Sequence, residues 1–571
     1  MKILGLGFTD HETSAALVID GRLRQAIARE RLTRIKRDGK MWGSRRMDLT
    51  EALLYCLDEH YLALNDIDLI VLSHVDHVAP AHLLRLLKEE GSIDLSSRPY
   101  LCIPHHFAHA CSTYFLSPLK ESAVLVADGS GGPLKSLIYN CAGPEREAFM
   151  KGTPILQDLN AGFNDRGLER ESFYQVIRDE WTVLRKIIGI EGGIGSAYGS
   201  ASEFLFGDCL DAGKTMGLAP YGRPNPRKLF LETSGSDELA TYRHIHSPER
   251  VSLELEITSL RSKNDSVAFE NPLLSNFAAS VQHETEEALI IYARWLQRQT
   301  GSKHLCLSGG VALNCVANSR IAEEAGFEEI FVPPYPGDDG IAVGCALYGA
   351  SLNGGIEKVT NPVFLGRPYS HDPSTLASAG LIRCFEDLDT FETVAGEIAN
   401  GAVVAWFQGG AELGPRALGH RSFLVDPRRP EMKDYLNQKV KNRESFRPFA
   451  PVVLAEAVSD FFIESYPSHF MSFTATVREG IRSLIPAVMH VDATARYQVL
   501  REHDNPELYK LVTAFAALTG LPMLLNTSFN RAGEPLVETP MQAALCTIAS
   551  SADYLVLDGK IYAPASNRRC I

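Results

Sequence analysis

Ile3-Leu4-Gly5-Leu6-Gly7-Phe8, then Thr13-Ser14-Ala15-Ala16-Leu17-Val18-Ile19, Asp20-Gly21 and Arg22 to Ala28 open the chain. Short apolar runs bounded by turn residues read as strands, and Asp-Gly between two of them reads as a tight hairpin. A similar figure returns at Ser122-Ala123-Val124-Leu125-Val126-Ala127-Asp128-Gly129, where a strand ends in a polar turn and Lys135 to Asn140 comes back. Two such openings predict a duplicated α/β domain with a cleft between its halves. Around them, helical patterns at 47–60, 80–90, 105–116 and 275–299 alternate with short strands at 67–73, 303–308 and 328–332. That alternation favours α/β layers with ligands at strand ends. Residues 142–275 carry many charges and few periodic segments, and read as irregular insertions. Turn residues crowd near 352–378, which predicts domains at 1–352 and 380–571 joined by a linker at 353–379. Within the second domain, Thr390 to Asn400 reads as a helix and Val403 to Phe407 as a strand.

With 571 residues the chain is too long for one core. Hydrophobic residues make 45% and charged residues 22%, an ordinary globular balance. The 56 Lys and Arg against 70 Asp and Glu give a net charge of −14, which opposes nonspecific binding to nucleic acid or an anionic membrane. No run approaches the roughly 18 apolar residues of a membrane span. The opening Met1 to Gly7 is too short for a signal-peptide core. Eleven scattered cysteines without a C-x-x-C pair read as reduced, mostly buried thiols. A cytoplasmic protein with neither membrane nor nucleic-acid partner is expected.

Pro104-His105-His106-Phe107-Ala108-His109-Ala110 is the sharpest local feature. If Pro104 opens a helix, His105 and His109 stand at i and i+4 on one face and can reach one metal. Asp128 and Asp338, each following a strand, are candidate further ligands; a helix start with hydrogen-bonded buried histidines is the other reading. Ser308-Gly309-Gly310-Val311-Ala312-Leu313-Asn314 is a strand, a glycine pair and a helix start, where a nucleotide can approach backbone. Lys214-Thr215-Met216-Gly217-Leu218-Ala219-Pro220-Tyr221-Gly222 is similarly punctuated, and no Walker P-loop occurs. Further on, Gly414-Pro415-Arg416-Ala417-Leu418-Gly419-His420-Arg421-Ser422 opens a cationic stretch with Lys439, Lys441, Arg443 and Arg447, and Arg496 beyond. In an acidic protein such clustering favours a phosphate over a solvated face. Leu525-Asn526-Thr527-Ser528-Phe529-Asn530-Arg531 adds amide and hydroxyl donors. His11 stands in the first turn, and Lys36 follows in Thr33-Arg34-Ile35-Lys36-Arg37.

These motifs, with Asp10-His11-Glu12-Thr13-Ser14-Ala15-Ala16 before them and Arg447-Pro448-Phe449-Ala450-Pro451 between the last two, occur in one order. The set resembles the O-carbamoyltransferase family of the nodulation-protein and antibiotic-tailoring type, similar to the tobramycin and cephamycin carbamoyltransferases. The resemblance spans the chain except for 142–190 and 225–275. It implies an N-terminal duplicated actin-like ATPase fold and a C-terminal YrdC-like α/β domain. It further implies that the second domain makes carbamoyl adenylate from carbamoyl phosphate and ATP, with Mg2+ accompanying ATP. The first domain would pass the carbamoyl group to a hydroxyl of a small acceptor, such as a secondary metabolite, and release AMP. Arg416, Lys441, Arg447 and Arg496 would hold the phosphates, with Asn526 and Ser528 as donors. His105, His109, Asp128 and Asp338 would bind a divalent metal, Fe2+ by analogy, with Asp339 an alternative to Asp338. Gly309, Gly310 and Asn314 would line the adenosine site, His11 would take the acceptor's proton, and Lys36 would lie near the adenylate. A homodimer is compatible with this reading. A sugar-kinase-like phosphotransferase, a nucleotide-dependent binding module and a tRNA-modifying role are the alternatives, the last opposed by the net charge.

Overall fold

The computed structural model describes residues 1–571 except 40–47, 76–79, 92, 135–140, 154, 159–166, 190–191, 235–240, 245–246, 264–270, 358, 360–361, 371, 386–387, 464–465 and 567–571. Contacts divide the chain into two compact units. Unit 1 comprises Met1–Arg29 and Arg37–Val359; unit 2 comprises Glu30–Lys36 and Thr360–Ile571.

Unit 1 begins with β1 (Lys2–Phe8), β2 (Thr13–Ile19) and β3 (Arg22–Ala28), an antiparallel meander. Asp20 and Gly21 have φ of 49° and 75°, the left-handed pair that a tight hairpin of this hand requires. β4 (Leu69–His74) lies parallel to β1, and β5 (Tyr100–Cys102) parallel to β4. The strand order is β3-β2-β1-β4-β5.

The second sheet contains β6 (Glu121–Ala127), β7 (Leu156–Asp158), β8 (Leu168–Ile177) and β9 (Glu180–Gly189). After a separate hairpin of β10 (Leu231–Ser234) and β11 (Thr241–His244), β12 (His304–Ser308) and β13 (Glu329–Phe331) complete it. Its order is β13-β12-β6-β8-β9-β7. Read as β9-β8-β6-β12-β13, it repeats the first sheet in order and sense: β6, β8 and β9 are antiparallel neighbours, and β6, β12 and β13 run parallel. The duplication expected from the two openings is therefore present as topology, with β7 added at an edge.

The proposed return over Lys135–Asn140 lies outside the described residues; the antiparallel neighbour of β6 is β8. β8 and β9 fall in the stretch read as irregular. Glu169, Arg170 and Glu171 are buried in β8 and Lys186 in β9, so the charges that looked like loop belong to the interior. Lys186 Nζ lies 3.0 Å from Glu145 Oε1 and donates to Glu169, and such pairing is what permits charge inside a core. Register shifts at Glu169/Glu171 and Phe173/Tyr174 also break the two-residue alternation that marks a strand in sequence.

Helices link the sheets. Asn271 caps the long Pro272–Thr300 helix by accepting from Leu273 N, and Gly301 at φ 60° ends it. The apolar Ile341–Ser351 helix crosses the His105–Leu116 helix at Gly344, where a Cβ would stand 2.0 Å from the Ala108 carbonyl oxygen. Only glycine allows that approach.

Unit 2 is also mixed α/β. Its main strands are β14 (Leu381–Cys384), β15 (Val404–Phe407), β16 (Arg421–Val425), β17 (Ala450–Leu454), and, beyond a small sheet of β18 (Phe462–Ile463), β19 (Thr474–Val477) and β20 (Thr494–Arg496), β21 (Gln498–Leu500), β22 (Met523–Ser528), β23 (Tyr554–Leu557) and β24 (Lys560–Pro564). The main sheet runs β14-β24-β23-β15-β16-β22-β17-β21. Buried Val404, Trp406, Phe423, Leu424, Val452, Leu524 and Leu555 supply its core, with Val512 and Phe515 of the Pro506–Thr519 helix packed on it. Among the described residues, no helix is long and apolar enough to cross a membrane.

Candidate functional site

In unit 1, four ligand-type side chains converge where the second sheet meets the His105–Leu116 helix. Pro104 at the N-cap starts that helix directly after β5, and the i, i+4 spacing puts His105 and His109 on one buried face. Asp128 follows the last residue of β6. Asp338 opens the single turn Asp338–Gly340 that leads into the Ile341–Ser351 helix. One ligand atom from each of His105, His109, Asp128 and Asp338 lies within 4.8 Å of the others. His105 Nε2 is 3.2 Å from both Asp128 Oδ2 and His109 Nε2. Asp338 Oδ1 is 3.5 Å from His105 Nε2 and 3.3 Å from His109 Nε2. Of the neighbouring acids, Asp338 joins this group and Asp339 does not.

The charges are mutually compensating. Burial opposes the imidazolium at His105, but Asp338 and Asp128 outweigh it and lift the pKa to about 10. Burial likewise opposes charge on Asp128 and Asp338, yet the imidazoles hold both carboxyls well below the usual range. Two Nε2 atoms 3.2 Å apart, flanked by carboxylates, form an N2O2 set that fits one divalent cation. The Nδ1 atoms of both histidines are buried without a hydrogen-bond partner, so their side chains are aimed by the helix rather than by an outer acceptor.

His11 Nε2 lies 3.5 Å from Asp338 Oδ2, on the partly exposed side of the cluster. Gly309, at φ 88°, would place a Cβ 2.2 Å from the Ala127 carbonyl oxygen, so the turn after β12 can approach β6 only with glycine. The next amide, Gly310 N, donates to Asp128 Oδ1 at 3.0 Å. The glycine pair is thus joined directly to the acidic cluster. Asn314 Oδ1 caps the Cys315–Glu324 helix through Ala317 N at 3.1 Å, and its amide exchanges hydrogen bonds with Gln282 at 3.0 and 3.1 Å. Gln282 and its partner Tyr198 gave no sequence signal, because only the fold brings them beside Asn314.

Unit 2 holds a cluster of opposite character. Arg416 lies in the loop between β15 and β16, Lys441 ends a helical turn at Leu436–Val440, and Arg443 and Arg447 precede β17. Arg496 ends β20, and Asn526 and Ser528 lie on β22. Lys441 is 3% exposed and donates to Ser528 Oγ at 2.9 Å, Asn530 Oδ1 at 2.7 Å and the Asn530 carbonyl at 3.0 Å. Burial, then Arg443, Arg447 and Lys36, push its pKa well down; burial, Arg447 and Arg496 do the same to Arg443. These cations face one another closely enough to repel, and Lys36, the last residue of the Glu30–Lys36 segment of unit 2, belongs with them. An anionic ligand would relieve that repulsion.

The loop bearing Arg416 is pinned from several sides. Glu412 Oε1 accepts from Leu418 N at 2.7 Å, Gln498 Nε2 donates to the Leu418 carbonyl at 3.0 Å, and Asn526 Nδ2 donates to the Ala417 carbonyl at 3.1 Å. Asn526 therefore shapes the loop, whereas Ser528 touches the cationic group directly. Lys439 is exposed and stands outside the cluster.

Comparison with known proteins matches both units. The family model described as carbamoyltransferase N-terminus covers residues 2–92 and 83–347, and that described as carbamoyltransferase C-terminus covers 395–563. Nodulation protein NolNO of Sinorhizobium fredii is 32% identical over 96% of this chain and 78% of that protein. The 3'-hydroxymethylcephem-O-carbamoyltransferase of Amycolatopsis lactamdurans is 33% identical over 68% of this chain and 73% of its own. Among solved structures, HypF of T. kodakarensis is similar with a TM-score of 0.37 at 14% identity, over 62% of this chain and 48% of that one, a level at which no shared fold is assigned. On the two family models and these relatives, the chain belongs to the O-carbamoyltransferase family and is a carbamoyltransferase.

Proposed function

We propose that this carbamoyltransferase is ATP-dependent and works in two steps. In unit 2, water releases carbamate and phosphate from carbamoyl phosphate; carbamate oxygen then attacks the α-phosphorus of ATP, giving carbamoyl adenylate and pyrophosphate. In unit 1, the hydroxyl of a small acceptor attacks the carbamoyl carbon, forming the O-carbamoyl product and AMP. The observation that carries this reading is the presence in one chain of two chemically distinct centres, the N2O2 group beside His11 and the cations gathered around buried Lys441.

Arg416, Lys441, Arg447 and Arg496 would bind the phosphates of both substrates and balance charge that builds on the α-phosphoryl group. Ser528 orients the Lys441 ammonium through a 2.9 Å hydrogen bond. In unit 1, Gly309 and Gly310 open the backbone for the nucleotide. His11 accepts the acceptor's hydroxyl proton, as a neutral imidazole is suited to do. His105, His109, Asp128 and Asp338 would hold a divalent ion, Fe2+ by family analogy, which supplies positive charge to an AMP leaving group. The repeated five-strand order of unit 1 supports a duplicated actin-like fold, and the open mixed sheet of unit 2 is compatible with a YrdC-like domain.

The test uses the full chain with carbamoyl phosphate, labelled ATP and no acceptor. AMP and pyrophosphate that form only when carbamoyl phosphate is present are expected. Stoichiometric ADP would replace this reading with a phosphotransferase.

A further inference from the structure

Glu30–Lys36 is a seven-residue segment whose contacts are with unit 2, while both flanks belong to unit 1. The flanks are themselves fixed within unit 1: Arg29 Nε donates to Glu51 Oε2 at 2.9 Å, and Arg37 Nη2 to the Leu210 carbonyl at 2.6 Å. Between them, two guanidinium groups grip backbone of unit 2. Arg31 Nη2 donates to the Gly414 carbonyl at 2.7 Å, two residues before Arg416. Arg34 Nη1 and Nη2 donate to the carbonyls of Leu536 and Pro535 at 2.5 and 2.8 Å.

Two features show that these contacts do more than tack down a surface loop. Arg31 is only 3% exposed, and its Nη1 has no hydrogen-bond partner among the described residues. Its Nε also lies 3.7 Å from Glu30 Oε1, so a carboxylate of the same segment balances the buried charge and holds the side chain against Gly414. Arg34 and Arg37 hold φ of 63° and 59°, left-handed values that non-glycine residues keep only where surrounding contacts impose them.

We propose that Glu30–Lys36 is a working part of the anion site of unit 2, a strap from the N-terminal chain. Arg31 and Arg34 are positioning residues that hold the Gly414-Pro415-Arg416 and Pro535-Leu536 backbone, and the strap brings Lys36 to the Lys441 group. The ligand class is a pyrophosphate-like anion. The anion site is then incomplete in any polypeptide that begins after the strap. The inference rests on the phosphate-binding role of the Lys441 group stated above.

The experiment titrates pyrophosphate into the full chain calorimetrically, comparing wild type with Arg31→Ala, Arg31→Lys, Arg34→Ala, Lys36→Met and Lys441→Met. Releasing the Gly414 backbone that precedes Arg416 is expected to weaken pyrophosphate by about tenfold in Arg31→Ala. Arg34→Ala and Lys36→Met weaken it in the same direction, and Arg31→Lys, which keeps the charge and an ammonium donor, recovers part of the loss. Urea unfolding run beside each titration identifies a variant that has lost its fold. Should that befall Arg31→Ala, the pair Arg34→Ala and Lys36→Met carries the test. Wild-type affinity in both Arg31→Ala and Arg34→Ala, with binding lost in Lys441→Met, overturns the strap alone. Wild-type affinity in Lys441→Met as well overturns the site on which it rests.

Discussion

Both units bury ionisable side chains, and burial acts on them with opposite results. In unit 1 the imidazoles of His105 and His109 face the carboxylates of Asp128 and Asp338, so each sign stabilises the other and all four favour the charged form. In unit 2 Lys441 and Arg443 face mostly like charges, and their pKa values fall. The same desolvation thus creates a group that a cation would complete by displacing protons, and another that an anion would complete by neutralising repulsion. Opposite electrostatic needs suit the two steps proposed above for carbamoyl transfer.

The sharpest way to break that comparison is Lys441→Met. Removing this ammonium is expected to lower carbamoyl-phosphate-dependent AMP formation by about 10²–10³-fold. Co2+ uptake by unit 1, followed by visible absorption, should not change. The converse variant, Asp128→Asn, keeps the shape and the Gly310 contact but removes an anionic ligand. Its Co2+ affinity should fall by at least about 100-fold, while pyrophosphate binding stays at the wild-type level. If either variant damages both readouts, the two centres do not act separately.

A smaller effect distinguishes the units by pH. His420 is partly buried in unit 2, its ring centroid stacked 3.4 Å from that of Phe364, with Nδ1 donating to the Gly410 carbonyl at 2.6 Å. Burial pushes its pKa down to about 3. Because the unfolded chain takes up the proton near pH 6.5 and the folded chain does not, the contribution is complete above about 6.5. It is lost as pH falls from there toward 3. Urea midpoints of wild type should therefore drop more steeply between pH 7 and 5 than those of His420→Gln. Parallel slopes would show that His420 is protonated without cost.

Much of the scaffold was legible because local rules decided it. Asp20-Gly21 announced the first hairpin, and Pro104 with the i, i+4 histidines announced the helix that carries half of the N2O2 group. The strands at 304–308, 329–331 and 404–407 appeared where short apolar runs met turn residues. β8 and β9 were not legible, since Glu169, Glu171 and Lys186 look solvent-facing until their partners are known. The bonds of Asn314 to the Ala317 amide and to Gln282 were not legible either, because Gln282 lies 32 residues away in the chain.

By itself, then, the sequence determined the kinds of side chain available and their spacing within single elements: paired histidines on a helix, carboxylates after strands, cations between glycines and prolines. Helix and strand periodicity act over a few residues, so these features are written locally. Only the tertiary structure decided that Asp128 and Asp338, far apart in the chain, share one group with those histidines. It also assigned Glu30–Lys36 to unit 2. Those outcomes depend on strand order and on which buried donors find acceptors, and both are properties of the packed chain rather than of any one segment.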